Sequence, residues 1–248
     1  MLKDKRVLLT GATGGIGRQV AFLLKAAGTE VTLTARHEEK LQSLLAELKS
    51  VPFGRGRFYA VTSDLRDLAS LRNLVDRASK LLQGPINVLI NNAGIAFHSP
   101  VGRIDKEELL EVFHVNALAP ILLASKVFEL MRENGGGQII NVTSVLGERA
   151  MSDTGSYTAS KHALSGFSKV LRREGASVGI SVVQIQFGAV ETDFLKNTHD
   201  MATATRFRQR NLRRIDPKVA AEWILTAMNT DPSVCPEVIT VVPTEQLV

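Results

Sequence analysis

Short apolar runs alternate with longer segments of helical period from one end of the chain to the other. Arg6–Thr10 is a short, β-rich run. From Gly15 to Ala27 apolar residues recur at Ile16, Val20, Leu23, Leu24 and Ala27, the spacing of one helix face, and Gly28 is a helix stop. Val31–Ala35 reads as the next strand, and Glu38–Lys49 as a helix with Leu41, Leu44, Leu45 and Leu48 on one side. Further strands are predicted at Phe58–Thr62, Val88–Asn91, Gln138–Val142, Ile180–Phe187 and Val238–Val242. Helices are predicted at Leu68–Leu82, Lys106–Glu133, Ser156–Ser177 and Pro217–Met228. Several strands are apolar almost throughout, which calls for helices over both faces of the sheet. The alternation predicts an α/β fold in three layers, doubly wound around a central, mostly parallel sheet of about seven strands.

A chain of 248 residues suits one domain of this kind, 1–248, and no linker divides it. The least regular stretch, Thr192–Asp216, is too long for a bare connection and is expected to form a lid over a substrate. The single cysteine, Cys235, excludes a disulfide framework within the chain and any cysteine-based metal site. With 44% hydrophobic and 22% charged residues the composition is that of a globular protein. No apolar run approaches the roughly 18 residues of a spanning helix, and the N-terminus lacks the pattern of a secretory signal. The expected compartment is therefore the cytoplasm, with no membrane partner. A net charge of +5 allows an anionic ligand without proving one.

The first strand runs straight into Thr10-Gly11-Ala12-Thr13-Gly14-Gly15-Ile16-Gly17, and a helix follows. Glycines let backbone approach a pyrophosphate, and the helix N-terminus offers free N–H groups and the positive end of its dipole. The alternative is a glycine-rich turn without a ligand. The second strand ends at Ala35-Arg36, where a site for NAD would present an acid to the ribose hydroxyls. An arginine there can pair with a 2′-phosphate, so NADP(H) is favoured over NAD. A solvated surface arginine is the bland reading. Gly14 occupies the loop position where a second basic residue would have strengthened the case.

Tyr157 and Lys161 stand at i and i+4, on one helix face. An adjacent ammonium is expected to lower the phenol's pKa. Ser144 follows the strand Gln138–Val142, where its hydroxyl could meet a substrate carbonyl oxygen. Asn116, inside an apolar helix, needs a partner, whether as a cap, a network member or a functional group.

Taken together these residues resemble the short-chain dehydrogenase/reductase family. The matching motifs are Thr10-Gly11-x-x-x-Gly15-x-Gly17, Asp64-Leu65, Asn91-Asn92-Ala93-Gly94, Asn116, Ser144, Tyr157-x-x-x-Lys161 and Gly188-x-x-x-Thr192, in family order. The resemblance implies a Rossmann-type fold and roles for these positions. Tyr157 would be the general acid in reduction and the base in oxidation, and Lys161 would assist it and bind the nicotinamide ribose. Ser144 would orient the substrate oxygen, and Asn116 would hold a water in a proton relay. Gly11, Thr13, Gly15, Ile16 and Gly17 would form the phosphate loop. Asp64 and Leu65 would flank the adenine, with Asn91, Ala93 and Gly94 along its ribose side. Gly188, Val190 and Thr192 would lie at the nicotinamide end. Where the family usually has Pro-Gly after the sixth strand, this chain has Phe187-Gly188. Pro120 lies four residues after Asn116, so the Asn116 carbonyl loses its usual helical donor and is expected to accept from an ordered water.

The expected reaction is hydride transfer between NADP(H) and a small-molecule carbonyl or alcohol, in a homodimer or homotetramer. Apolar candidates for the substrate walls are Val145, Leu146, Phe97, Phe194 and Leu195, with His98 beside them. His37 could help with a phosphate or be a loop residue. His114 and His162 read as packing or surface residues, and no pair has zinc-ligand spacing, so no metal is expected. Two other function classes compete. One is a catalytically silent dinucleotide sensor, against which the intact Asn116, Ser144, Tyr157 and Lys161 argue. The other is a binder of nucleic acid or an acidic carrier through Arg206, Arg208, Arg210, Arg213 and Arg214, for which a solvated face is the bland reading. The favoured expectation is no nucleic-acid partner.

Overall fold

The computed structural model describes residues 2–194, 213–231 and 233–245. Most of the predicted lid, including Leu195, Arg206, Arg208 and Arg210, lies outside them.

Seven parallel strands form one sheet in the order β3-β2-β1-β4-β5-β6-β7. They are β1 (Arg6–Thr10), β2 (Glu30–Ala35), β3 (Arg57–Thr62), β4 (Val88–Asn91), β5 (Gly137–Ser144), β6 (Ile180–Phe187) and β7 (Val238–Val241). The chain winds outward from β1 to β3, then returns to place β4 on the other side of β1. That reversal opens a crevice beyond the carboxyl ends of β1 and β4, where doubly wound sheets bind ligands.

Strand parity decides which helices cover which face. Val7 and Leu9 point into one core with α1 (Gly15–Ala27), α2 (Glu38–Ser50) and α7 (Pro217–Met228). Leu8 points to the other, with α3 (Ser70–Leu81), α5 (Ala119–Glu133) and α6 (Gly155–Ala176). Leu33, Ile90 and Ile185 belong to the first core and Leu89, Ile139 and Val182 to the second. All are buried, which explains strands that read as apolar throughout. The helix signals act as written. Gly28 closes α1 at a φ of 76°, and the Asp216 carboxylate caps α7 by accepting from the Lys218 N–H at 2.7 Å.

The predicted helix Lys106–Glu133 is corrected. It comprises α4 (Lys106–Phe113), one π turn (His114–Leu118) and α5, with the Ala119 N–H bonded back to the His114 carbonyl. Pro120 explains the break, since it cannot donate in an α-helical interior. The π turn places Pro120 in the first turn of α5, where a missing N–H costs little. By length and mean hydropathy (1.3) this same stretch would suffice to cross a bilayer, contrary to the expectation from the apolar runs. In the fold α5 packs on α3 and the sheet, and α4 packs on α6.

The buried face of α6 includes four serines, Ser156, Ser160, Ser165 and Ser168. The sheet answers with amides. Asn141 Nδ2 donates to Ser168 Oγ at 2.8 Å, and Gln184 Nε2 to Ser165 Oγ at 2.9 Å. These bonds satisfy polar groups that burial would otherwise penalise, and they fix α6 on β5 and β6.

Candidate active site

A cleft of about 780 Å³ runs along the carboxyl ends of the strands. The loop after β1 forms its floor. Thr10 Oγ1 accepts from the N–H groups of Asn92 (3.0 Å) and Ala93 (3.1 Å), while Asn92 Nδ2 donates to the carbonyls of Thr10 (3.0 Å) and Gly11 (3.2 Å). The loops after β1 and β4 are thereby tied together. Two glycines are required by contact. A Cβ on Gly17 would lie 2.2 Å from the Gly11 carbonyl oxygen, and one on Gly15 2.6 Å from Thr192 Cγ2. Gly14 caps α1 without any side-chain acceptor, so the first-turn N–H groups are not taken by a capping side chain. This bare cradle at a helix N-terminus fits a dinucleotide pyrophosphate.

At one end of the cleft Ser144, the last residue of β5, meets α6. Its hydroxyl accepts from the Leu146 N–H at 3.2 Å and acts on the neighbouring Tyr157 phenol to favour its ionised form. Lys161 lies one turn on, its Nζ 5.7 Å from the Tyr157 ring centroid and donating to the Val142 carbonyl at 3.3 Å. Phe194 packs edge-on against Tyr157 with ring centroids 5.7 Å apart.

The expectation that Lys161 depresses the Tyr157 pKa is corrected. Burial dominates and pushes the phenol up to about 12, with the Ser144 hydroxyl acting in the opposite direction. Burial also pushes the Lys161 ammonium down to about 8. Both groups lose more by leaving water than neighbouring charges return.

Asn116 is fully buried in the π turn and does not line the cleft. Its Oδ1 accepts from the Ile95 N–H at 2.9 Å, and its Nδ2 donates to the Ile95 carbonyl at 2.8 Å and to Ser160 Oγ at 3.1 Å. Ser160 in turn donates to the Tyr157 carbonyl at 2.7 Å. A Cβ on Gly94 would sit 3.5 Å from both Asn116 Oδ1 and Lys161 Nζ, so the two side chains approach each other across that glycine.

The remaining cofactor candidates separate cleanly. Gly11, Thr13, Gly15, Ile16, Gly17, Arg36, Asp64, Leu65, Ala93 and Gly94 line the cleft, as do Gly188, Val190 and Thr192. Asn91 does not. It is the last residue of β4, and its Nδ2 donates to Asn141 Oδ1 (2.9 Å) and the Pro120 carbonyl (3.3 Å) inside the protein. Asn92, one residue later, takes the cleft side. Phe187 completes β6 beside Val241 and faces the cleft, so the residue in place of the usual proline is an ordinary buried strand position.

The end of the cleft that holds Tyr157 is walled by Val145, Leu146, Met151 and Phe194, and Phe97 is not among its lining. His98 is buried there, its ring centroid 6.5 Å from that of Tyr157, and burial lowers its pKa to about 4. Arg214, from the arginine-rich segment, reaches the cleft, and Arg213 does not. His37 lines the opposite end beside Arg36, and His162 lies on the surface of α6. Sequence reasoning missed Asn92, Ser160, Arg66 and Glu111. Ser160 stood within the Tyr157–Lys161 motif and Arg66 directly after Asp64-Leu65, but Glu111 carried no signal.

The family model described as short chain dehydrogenase matches residues 5–203. The chain belongs to the short-chain dehydrogenase family. It is 30% identical to dehydrogenase/reductase SDR family member 7B of Danio rerio over 92% of this chain and 75% of that protein. It is 33% identical to a 3-oxoacyl-(acyl-carrier-protein) reductase of Vibrio cholerae over 90% of this chain and 89% of that enzyme. A solved short-chain dehydrogenase from Streptomyces avermitilis superposes with a TM-score of 0.84 at 29% identity, over 97% of this chain and 89% of the other. This short-chain dehydrogenase is thus an oxidoreductase by family, on a nicotinamide-dinucleotide fold.

Proposed function

We propose that this short-chain dehydrogenase transfers a hydride between NADP(H) and a carbonyl or secondary-alcohol substrate, with Tyr157 as the acid–base group. The observation that carries the reading is the meeting of Ser144, Tyr157 and Lys161 at one end of a cleft whose floor is a bare glycine cradle. The cofactor would lie along that floor, held by the glycine loop, by Ala93 and Gly94, and at its far end by Gly188, Val190 and Thr192. When bound, its nicotinamide supplies or accepts the hydride, chemistry that no side chain offers.

The chain's own residues manage the proton and the orientation. Tyr157, kept protonated by burial, is suited to protonate a substrate oxygen during reduction. Ser144, beside Tyr157 in the cleft, can hold that same oxygen from a second side. Lys161, with a pKa brought down to about 8, is close enough to neutrality to pass a proton towards Tyr157. Asn116 positions α6 through Ser160 and, with the donor-poor turn around Pro120, is our candidate anchor for a relay water. The apolar walls at Leu146, Met151 and Phe194 favour a carbonyl compound with a hydrophobic body, and the Vibrio cholerae relative's name supports that class.

Arg36 at the end of β2 supports NADP over NAD, since no acid stands at that position. The exposed Leu118 and Leu122 on the π turn and α5 support a homodimer or homotetramer. The test is turnover of NADPH with a panel of ketones, aldehydes and 3-oxoacyl thioesters, beside Tyr157→Phe. Consumption by the parent chain and its loss in the variant are expected. Equal turnover in both would overturn the mechanism.

A further inference from the structure

At the adenine end of the cleft two arginines share one carboxylate. Arg36 follows β2, Arg66 follows β3, and Glu111 reaches them from α4. Glu111 Oε1 lies 3.3 Å from Arg66 Nη1 and 3.8 Å from Arg36 Nη1. Arg66 is also forked onto Asp64, with Nε 3.0 Å from both carboxylate oxygens, and Arg36 Nε contacts His37 Nε2 at 3.3 Å. All five side chains line the same cleft. The ends of the neighbouring strands β2 and β3 and the helix α4 thus meet at one end of the cleft.

Charge accounting shows what this arrangement does. Asp64 is committed to Arg66, whose guanidinium holds its carboxyl below the usual carboxylate range. Glu111 is the remaining anion, shared between two cations that are each two-fifths to half exposed. An entering 2′-phosphate would meet both guanidiniums and, beside them, a carboxylate of its own sign. A ribose without that phosphate would instead find an acceptor for its hydroxyls, the part played by an acid after the second strand in NAD sites.

We infer that Glu111 sets the cofactor preference of this enzyme, competing with the 2′-phosphate for Arg36 and Arg66, and that Arg66 is the second basic residue of the phosphate socket. The glycine loop carries no base, and the β3–α3 connection supplies it in its place. The inference rests on the NADP reading above, and it adds Glu111 and Arg66 to Arg36. Glu111 is on α4, and the π turn that directly continues α4 carries the buried amide of Asn116, five residues later.

The test uses the full chain and two fragments that differ only in the phosphate, 2′,5′-ADP and 5′-AMP, with binding measured by titration calorimetry at low and high salt. Glu111→Gln keeps the size of the side chain and removes its charge. It should tighten 2′,5′-ADP about fivefold or more, most strongly at low salt, and shift 5′-AMP by less than about twofold. Arg66→Ala should weaken 2′,5′-ADP about tenfold and spare 5′-AMP. Unchanged fragment preference in both variants overturns the inference. The NADP reading fails separately, if the parent chain shows no preference for 2′,5′-ADP. A gain of that preference in Glu111→Gln alone would uphold Glu111 as the determinant even then.

Discussion

The carboxamide of Asn116 clasps the backbone of Ile95 at two points, accepting from its N–H and donating to its carbonyl. This is the pairing one strand offers another, made by a side chain from a helix. It fastens the loop after β4, on which the cleft wall depends, to the π turn, and the third bond to Ser160 carries the connection on to α6. The helix α6, the loop after β4 and the π turn therefore meet at one buried amide.

Removing that amide should damage stability and geometry together. Asn116→Ala leaves the Ile95 N–H and carbonyl short of a partner, while the Ser160 hydroxyl keeps its bond to the Tyr157 carbonyl. At about 1–3 kcal/mol for each group left unpaired, a loss of about 2–6 kcal/mol is expected. Urea unfolding of the parent and variant chains measures it. A change under about 0.5 kcal/mol would show that the clasp contributes nothing beyond a surface contact.

Gly17 is expected to tolerate no side chain. Its Cβ would lie 2.2 Å from the Gly11 carbonyl oxygen and 2.7 Å from Asn92 Nδ2, both parts of the floor of the cleft. Gly17→Ala must move the phosphate loop, and overpacking of this kind costs about 1–3 kcal/mol. Dinucleotide affinity, read by fluorescence titration, should fall roughly 10- to 100-fold. Gly102→Ala, where a Cβ meets nothing within 4 Å, is the matched control and should bind as the parent does.

The strands, the glycine loop and the Tyr157–Lys161 pair were legible because each rests on local periodicity. Full apolar strands announce burial on both faces, and i, i+4 spacing puts two side chains on one helix face. What failed to show depends on tertiary placement. Asn91 and Asn92 are neighbours, yet one turns into the sheet and the other to the cleft, and strand parity at a strand end cannot be read from residue type. Pro120 signals a disturbed helix, but not that the relief comes upstream at His114. The rise in the Tyr157 pKa comes from desolvation by the packed fold, which no motif states. Glu111 and Arg66 stand 45 residues apart, and only the fold brings them together.

Lys161 gives the clearest pH signature. Its folded pKa of about 8 lies below the ordinary 10.5. Between those values the unfolded chain holds a proton that the folded chain has released, so stability rises with pH across this window. The burial penalty is present in full below pH 8 and is relieved as pH climbs towards 10.5. Tyr157 acts in the opposite sense, since its pKa is raised to about 12, but only above pH 10, where the unfolded phenol begins to ionise. Lys161→Met should therefore be more stable than the parent at pH 7, with the difference shrinking from pH 8 to 10. A constant difference in chemical unfolding across that range would refute the assignment.

Arg36 should separate the two nicotinamide cofactors. Its side chain is about half exposed and its contact with Glu111 is a long one of 3.8 Å, so it can turn towards a phosphate that outcompetes that carboxylate. A charge-assisted bond to that phosphate is worth about 1.5–3 kcal/mol. Arg36→Ala should weaken NADPH roughly 10- to 100-fold and NADH by less than about threefold. Added salt should narrow the gap in the parent chain, because an exposed pair is screened at a Debye length of about 8 Å. Titration of both cofactors into both chains at two ionic strengths measures it. Equal losses for the two cofactors would remove Arg36 from the 2′-phosphate and leave it a solvated residue at the end of β2.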